Sequence, residues 1–324
     1  MPATVKTVLR SSGWCCETIG HLANHLRNQT AAERLPFSFQ PDTVFYMPIF
    51  SFQQVDVFSS QPMRGNPLAV VVGADELDDA QMQAFANWTN LSETTFLLKP
   101  TMAEAHYRVR IFTPTQELPF AGHPTLGSAH VWLSQAANAP EGEIVQECGA
   151  GLVRIRRDGK RLAFAAPPLT RSGSVEPALI DRIAKGLGIS ATTIEDANWV
   201  ENGPDWIGVR LPSRSDVLAV KPDFSVLAGM RVGLVSRFDP SIDGEDAQFE
   251  VRAFSNRGTE DPVTGSLNAG LAQWLIGSGI APESYVAAQG TVLGRAGRVH
   301  VDKVGDDIWI GGDVATCISG TLAL

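Results

Sequence analysis

Arg110-Ile-Phe112 followed by Glu117-Leu-Pro-Phe-Ala-Gly122-His123-Pro-Thr-Leu-Gly127 has a second version later in the chain. It reads Arg252-Ala-Phe254 followed by Glu260-Asp-Pro-Val-Thr-Gly265-Ser266-Leu-Asn-Ala-Gly270. Glu117 and Glu260, Pro119 and Pro262, Gly122 and Gly265, and Gly127 and Gly270 all pair at one offset of 143 residues. The Arg-x-Phe pairs slip by one residue. A repeat of this kind predicts a duplicated fold. In each copy a strand runs into a glycine-bearing turn and then an apolar helix. Two helix N-termini facing one cleft would bind an anion, with side chains beside it able to do chemistry.

The 324 residues suffice for two domains of ordinary size, each with its own core. An apolar content of 44% and a charged content of 19% describe a globular chain. No run approaches the ~20 apolar residues of a membrane span. The net charge is −9 and no basic stripe is present, so neither a membrane nor nucleic acid is expected as a partner. Cys15, Cys16, Cys148 and Cys317 have neither metal spacing nor the density of a disulfide framework. That fits a reducing compartment, and a cytoplasmic location is expected.

Residues 1–46 differ from the rest and are expected to be a disordered extension or to precede the true start. A short helix over 17–27 is conceivable, with Ile19, Leu22 and Leu26 on one face. Met47 opens an edge-strand pattern that runs to Phe58. Beyond it, strands are expected near 68–72, 95–98, 107–112, 151–155 and 161–164. Helices are expected from Asp78 or Asp79 through Trp88, and after Pro124. Pro167-Pro168 marks the boundary between an N-terminal domain, 47–166, and a C-terminal domain, 167–324. The second half repeats the theme, with helices over 177–187 and 266–276. Its strands fall near 206–211, 231–236, 249–254, 298–303 and 308–311. One apolar helix per half suggests a sheet wrapped around each.

Several segments together resemble the phenazine biosynthesis PhzF-like family. They are Arg64-Gly-Asn-Pro-Leu-Ala-Val70, Leu91-Ser-Glu-Thr-Thr-Phe96, Arg110-Ile-Phe-Thr-Pro114, Glu117 to Gly127, and Glu260 to Ser266. The resemblance runs from about Met47 to the C-terminus. It implies an α+β fold like that of diaminopimelate epimerase: two pseudo-symmetric domains, each a curled mixed sheet around a central helix. It also implies an isomerase that needs no cofactor, acting on trans-2,3-dihydro-3-hydroxyanthranilate or a similar small anionic metabolite, and a homodimer. Carried over residue by residue, the acid/base is Glu93, supported by His123 and Asp261. Gly122, Gly265 and Ser266 would bind substrate. Gln289-Gly290 and Gly294-Arg295 match a later family segment, but Ala296-Gly297 stands where Pro-Ser is expected after the arginine.

Each of these residues also has a plainer explanation. Asn90-x-x-Glu93 has the form of a capping box. His123 could satisfy free N–H groups at a helix start, and Asp261 could simply complement a helix dipole. Ser266 is an ordinary first-turn residue, and Gly122 and Gly265 serve backbone conformation. For catalysis, Glu93 needs an apolar setting that raises its pKa toward neutrality, so that it can take a proton and return it. Two other readings compete: a non-catalytic member binding a small metabolite or a protein, and a thiol-type epimerase. The second is disfavoured because the glycine turns carry His123 and Ser266, not cysteines. No dinucleotide fingerprint, phosphate-binding loop or His-Glu-x-x-His motif is present, so neither a nucleotide nor a metal is expected.

Overall fold

Large apolar and charged side chains alternate along Tyr107–Phe112, and burial follows the alternation in the computed structural model, which describes residues 48–137 and 140–324. Val109 and Ile111 are buried, whereas Arg108 and Arg110 are half-exposed. Phe249–Phe254, its counterpart, is buried at every position. The expected helix over 17–27 and Met47 itself lie outside the described residues.

The helices follow their end signals. Asp78, rather than Asp79, caps Asp79–Thr89 through a reciprocal box with Gln81. Pro177–Leu187 begins on its proline and stops at Gly188, whose φ of 70° is left-handed. Gly122–Gln135 and Gly265–Gly277 are buried around most of their circumference, with no polar outer face. Such helices are held by enclosure on all sides rather than by an amphipathic stripe.

Sheet connectivity supplies the enclosure. In the first half the strands run, by pairing, Ile49–Val57, Asn66–Val72, Thr94–Leu98, Tyr107–Phe112, Ile144–Cys148, Gly151–Asp158 and Arg161–Ala165. In the second they run Asp196–Glu201, Trp206–Arg210, Arg231–Arg237, Phe249–Phe254, Ser284–Gln289, Gly297–Val304 and Asp307–Gly312. Parallel and antiparallel pairs occur in the same order in both. The two pseudo-symmetric halves join where Arg161–Ala165 lies antiparallel to Asp307–Gly312. Each half then passes one strand to the other. Arg171–Ser174, just past Pro167 and Pro168, pairs with Asp196–Glu201, and Val314–Ala323 returns to Ile49–Val57.

The repeat extends to side chains. Arg110 grips Glu117 with Nε and Nη2 at 2.7 and 2.6 Å, and Arg252 grips Glu260 in the same way at 2.9 and 2.8 Å. Each guanidinium also lies 5.0 Å from the ring two residues on, Phe112 or Phe254. Gln146 and Gln289, again 143 residues apart, are buried brackets for the two helix starts. Gln146 donates to Thr125 Oγ1, whereas Gln289 accepts from Asn268 Nδ2 and from the Thr264 N–H.

The two central helices meet at their first residues. A Cβ on Gly265 would lie 3.0 Å from Gly122 Cα, and one on Gly122 would strike the Phe164 ring at 2.7 Å. Neither position can accept a methyl group without movement of backbone or core. Gly265→Ala is therefore expected to destabilise the protein by about 1–3 kcal/mol in urea unfolding, although alanine favours helix. Gly277→Ala, at a helical glycine whose Cβ would meet nothing within 4 Å, is expected to be neutral or stabilising.

Candidate active site

Neither central helix has a side-chain cap on its N-terminus. Ala121 has no oxygen to offer, and Thr264 spends its hydroxyl on Asp261 Oδ2. The first N–H groups of both helices are thus left available where Gly122 and Gly265 touch.

Three of the expected residues gather around this junction. Glu93 sits in the link between Asp79–Thr89 and Thr94–Leu98, and its Oε2 lies 3.4 Å from His123 Nε2. The capping-box reading of Asn90 and Glu93 does not hold. Asn90 ends the preceding helix in a left-handed conformation, and Glu93 is free to face His123. Asp261 joins through Asn66. The Asn66 Nδ2 donates to Asp261 Oδ1 at 3.0 Å and to the Val263 carbonyl at 2.9 Å, and it lies 3.4 Å from His123 Nδ1.

These contacts assign protons. Two acceptors face Asn66 Nδ2, so that atom is the nitrogen of the amide. An N–H on His123 Nδ1 would point at this donor, so Nδ1 is bare and the proton sits on Nε2, toward Glu93. His123 Nε2 is buried and has no hydrogen-bond partner of good geometry. Burial also pulls the His123 pKa down to about 3, so the ring is neutral. The approach of His123 to Glu93 is therefore a polar contact and not an ion pair.

Burial raises the Glu93 carboxyl to about 8, the Asp261 charge adds to the rise, and Arg257 opposes it. The Glu93 side chain retains 17% exposure, enough to reach a ligand. Asp261 is pushed up to about 6, first by burial, against the hydrogen bonds from Thr264 and Asn66 that favour its charge. Arg257 is exposed on the turn between Phe249–Phe254 and Glu260–Asp261.

Ser266 stands in the first turn of the second helix, where its Oγ accepts from Trp206 Nε1 at 3.1 Å. That contact uses one acceptor lone pair, which leaves its O–H and its backbone N–H as donors for a ligand. Cys148 and Cys317 lie in the strands Ile144–Cys148 and Val314–Ala323, and neither stands on a glycine turn. Arg295 is held by the Met63 carbonyl. Sequence reasoning did not single out Asn66 or Arg257. The signal for Asn66 was Gly-Asn-Pro at the head of a strand, a place where a polar residue becomes fully buried.

Comparison with known proteins places the chain in a family. The family model for phenazine biosynthesis-like protein matches residues 55–320. The chain belongs to the phenazine biosynthesis-like family. It is 38% identical to antisense-enhancing sequence 1 of Schizosaccharomyces pombe, over 83% of this chain and 97% of that one. It is 33% identical to the trans-2,3-dihydro-3-hydroxyanthranilate isomerase of Pseudomonas aeruginosa, over 78% and 89%. The crystal structure of a phenazine biosynthesis protein of the PhzF family from Enterococcus faecalis superposes with a TM-score of 0.71 at 27% identity, over 86% and 100%. The fold is diaminopimelate epimerase-like, and this family member is an isomerase.

The raised Glu93 pKa makes a stability prediction. A carboxyl whose folded pKa exceeds its ordinary 4.5 contributes stability that is full below 4.5 and lost as pH rises to about 8. Glu93→Gln escapes that loss. Its urea stability relative to wild type is expected to climb between these limits by on the order of 2–4 kcal/mol. A difference independent of pH would mean that Glu93 is not held neutral by burial.

Proposed function

We propose that this isomerase moves a proton between two carbons of a small carboxylate-bearing metabolite similar to trans-2,3-dihydro-3-hydroxyanthranilate, with Glu93 as the general acid/base. The observation that carries the reading is the facing pair Glu93 and His123, at 3.4 Å, beside two uncapped helix starts.

Ionised Glu93 takes a C–H proton, and the C–H electron pair enters the substrate's π system. The same carboxyl, now protonated, returns a proton to another carbon of that system. Reactant and product then differ only in where a hydrogen and a double bond lie. The substrate carboxylate sits against the N–H groups of Gly122, Gly265 and Ser266, where the helix dipoles favour negative charge. His123 Nε2–H donates to a substrate oxygen or nitrogen that gains charge, and Asp261 orients a polar group from the opposite side. These groups supply every step, so the scheme calls for no cofactor. A carboxyl poised near 8 is suited to both halves of the transfer, since neither protonation state is strongly disfavoured near neutral pH.

Deuterium uptake from D2O into such a substrate, followed by NMR, tests the scheme. Glu93→Gln is expected to slow uptake by about 10²–10⁴-fold. Full uptake in that variant would rule Glu93 out as the base. In wild type, kcat/KM is expected to rise with pH as Glu93 ionises, falling about tenfold per pH unit below its pKa. A pH–rate profile flat between 6 and 9 would contradict that assignment.

A further inference from the structure

We infer that Gln289 is a positioning residue of the active site: through the Thr264 hydroxyl it directs a hydrogen bond onto Asp261 and holds that side chain in place as a carboxylate. The part Asp261 plays in the reaction rests on the function proposed above, whereas the relay that holds it does not. Gln289 ends the strand Ser284–Gln289 and is buried. Its side chain uses every hydrogen-bonding capacity it has. Oε1 accepts from the Thr264 N–H at 3.1 Å and from Asn268 Nδ2 at 2.9 Å. Nε2 donates to the Asp261 carbonyl at 3.2 Å and to Thr264 Oγ1 at 3.1 Å.

Two backbone groups fix which end of the amide is which. The Thr264 N–H can only donate and the Asp261 carbonyl can only accept, so a flipped amide would set like against like at both. An N–H of Gln289 therefore faces Thr264 Oγ1. With that hydrogen arriving, the hydroxyl's own hydrogen goes to Asp261 Oδ2, the acceptor beside it. Asn66 Nδ2 occupies Asp261 Oδ1 at 3.0 Å. Both carboxylate oxygens thus accept, and a proton placed on either one would face a donor.

The duplicated fold provides an internal control. Thr264 is the residue before the second central helix, where a threonine ordinarily caps the free N–H groups with its hydroxyl. Here it makes no such cap. At the offset of 143 residues, Asp261, Thr264 and Asn268 correspond to Leu118, Ala121 and Thr125. In that copy Gln146 still braces the helix start, donating to Thr125 Oγ1 and accepting from the Tyr107 hydroxyl at 2.9 Å. Thr125 returns its own hydrogen to the Ala121 carbonyl. Holding a central helix therefore needs neither the hydroxyl nor the acid. The second copy has both, and its glutamine turns an N–H to the hydroxyl that binds the acid.

The other ionisable groups near Asp261 are Glu260, which Arg252 grips, Glu93, Arg257 on the preceding turn, and neutral His123 beyond Asn66. Among the described residues none of their side chains hydrogen-bonds to Gln289 or Thr264, so the relay acts on Asp261 separately from them.

Titration of the Asp261 carboxyl carbon by NMR in the full chain tests this. Gln289→Met and Thr264→Val are each expected to raise the measured Asp261 pKa by about 1, and Thr264→Ser to restore the wild-type value. The double variant Gln289→Met, Thr264→Val is expected to match Thr264→Val alone, since both break one chain of bonds. Neutron diffraction of the wild type checks the relay without substitution: the Thr264 hydroxyl deuterium should lie on the line to Asp261 Oδ2. An unmoved titration in folded Gln289→Met, additive shifts in the double variant, or a deuterium directed away from Asp261 would each overturn the assignment. These readouts report on Asp261 itself, so failure of the relay is distinct from failure of the proposed reaction, which deuterium uptake reports.

Discussion

Two helices can meet start to start at backbone contact only if neither carries a side chain there. Gly122 and Gly265 satisfy that condition for each other. The contact fixes where the two halves abut and leaves their first N–H groups without internal partners. It also requires the surrounding polar groups to be supported from elsewhere. Gln146 and Gln289 brace the turns from neighbouring strands, and the forks of Arg110 with Glu117 and Arg252 with Glu260 tie each turn to its own sheet. The duplicated framework is thus organised around one point, and the side chains beside it are what differ between the copies: His123 stands where the other copy has Ser266, and Asp261 where it has Leu118.

Asn66 links those differences. It comes from a third segment, is fully buried, and touches both His123 and Asp261 with one nitrogen. Because that nitrogen can only donate, it favours the Asp261 carboxylate and leaves the His123 Nδ1 bare. One amide therefore sets the tautomer of the histidine and moderates the pKa of the aspartate. Burial then acts oppositely on acid and imidazole, raising Glu93 and Asp261 while holding His123 neutral. The same enclosure that holds the central helices supplies the low dielectric behind both shifts.

Much of this was legible in the sequence where one physical rule dominates. Helix Pro177–Leu187 and strand Phe249–Phe254 fall on the expected residues, because proline and glycine bound the helix and apolar residues alternate with Glu250 and Arg252 along the strand. Ile144–Cys148 and Ser284–Gln289 were not foreseen. Each contains a glutamine that looks exposed in one dimension and is buried in three. Val314–Ala323 was hidden for the opposite reason, since a strand exposed on both faces has no apolar period to read. The glycine turns announced Gly122, His123, Asp261, Gly265 and Ser266 as a group. Glu93 was identified by resemblance alone, because nothing local distinguishes it from other acidic residues. Arg257 and Asn66 gain their relevance only from neighbours distant in sequence.

The exchange of terminal strands between halves has a consequence for biosynthesis. Ile49–Val57 is among the first described segments to be synthesised, and its partner Val314–Ala323 is among the last. Until that partner emerges, one side of Ile49–Val57 has no strand from its own chain to pair with. The first half can acquire its central helix early but cannot close its sheet. Folding of the nascent chain must tolerate a long-lived open edge, and closing it requires a contact spanning most of the sequence, the kind of topology that folds slowly. The N-terminal half, although it repeats the architecture of its twin, completes its sheet only once the C-terminal strand has been made.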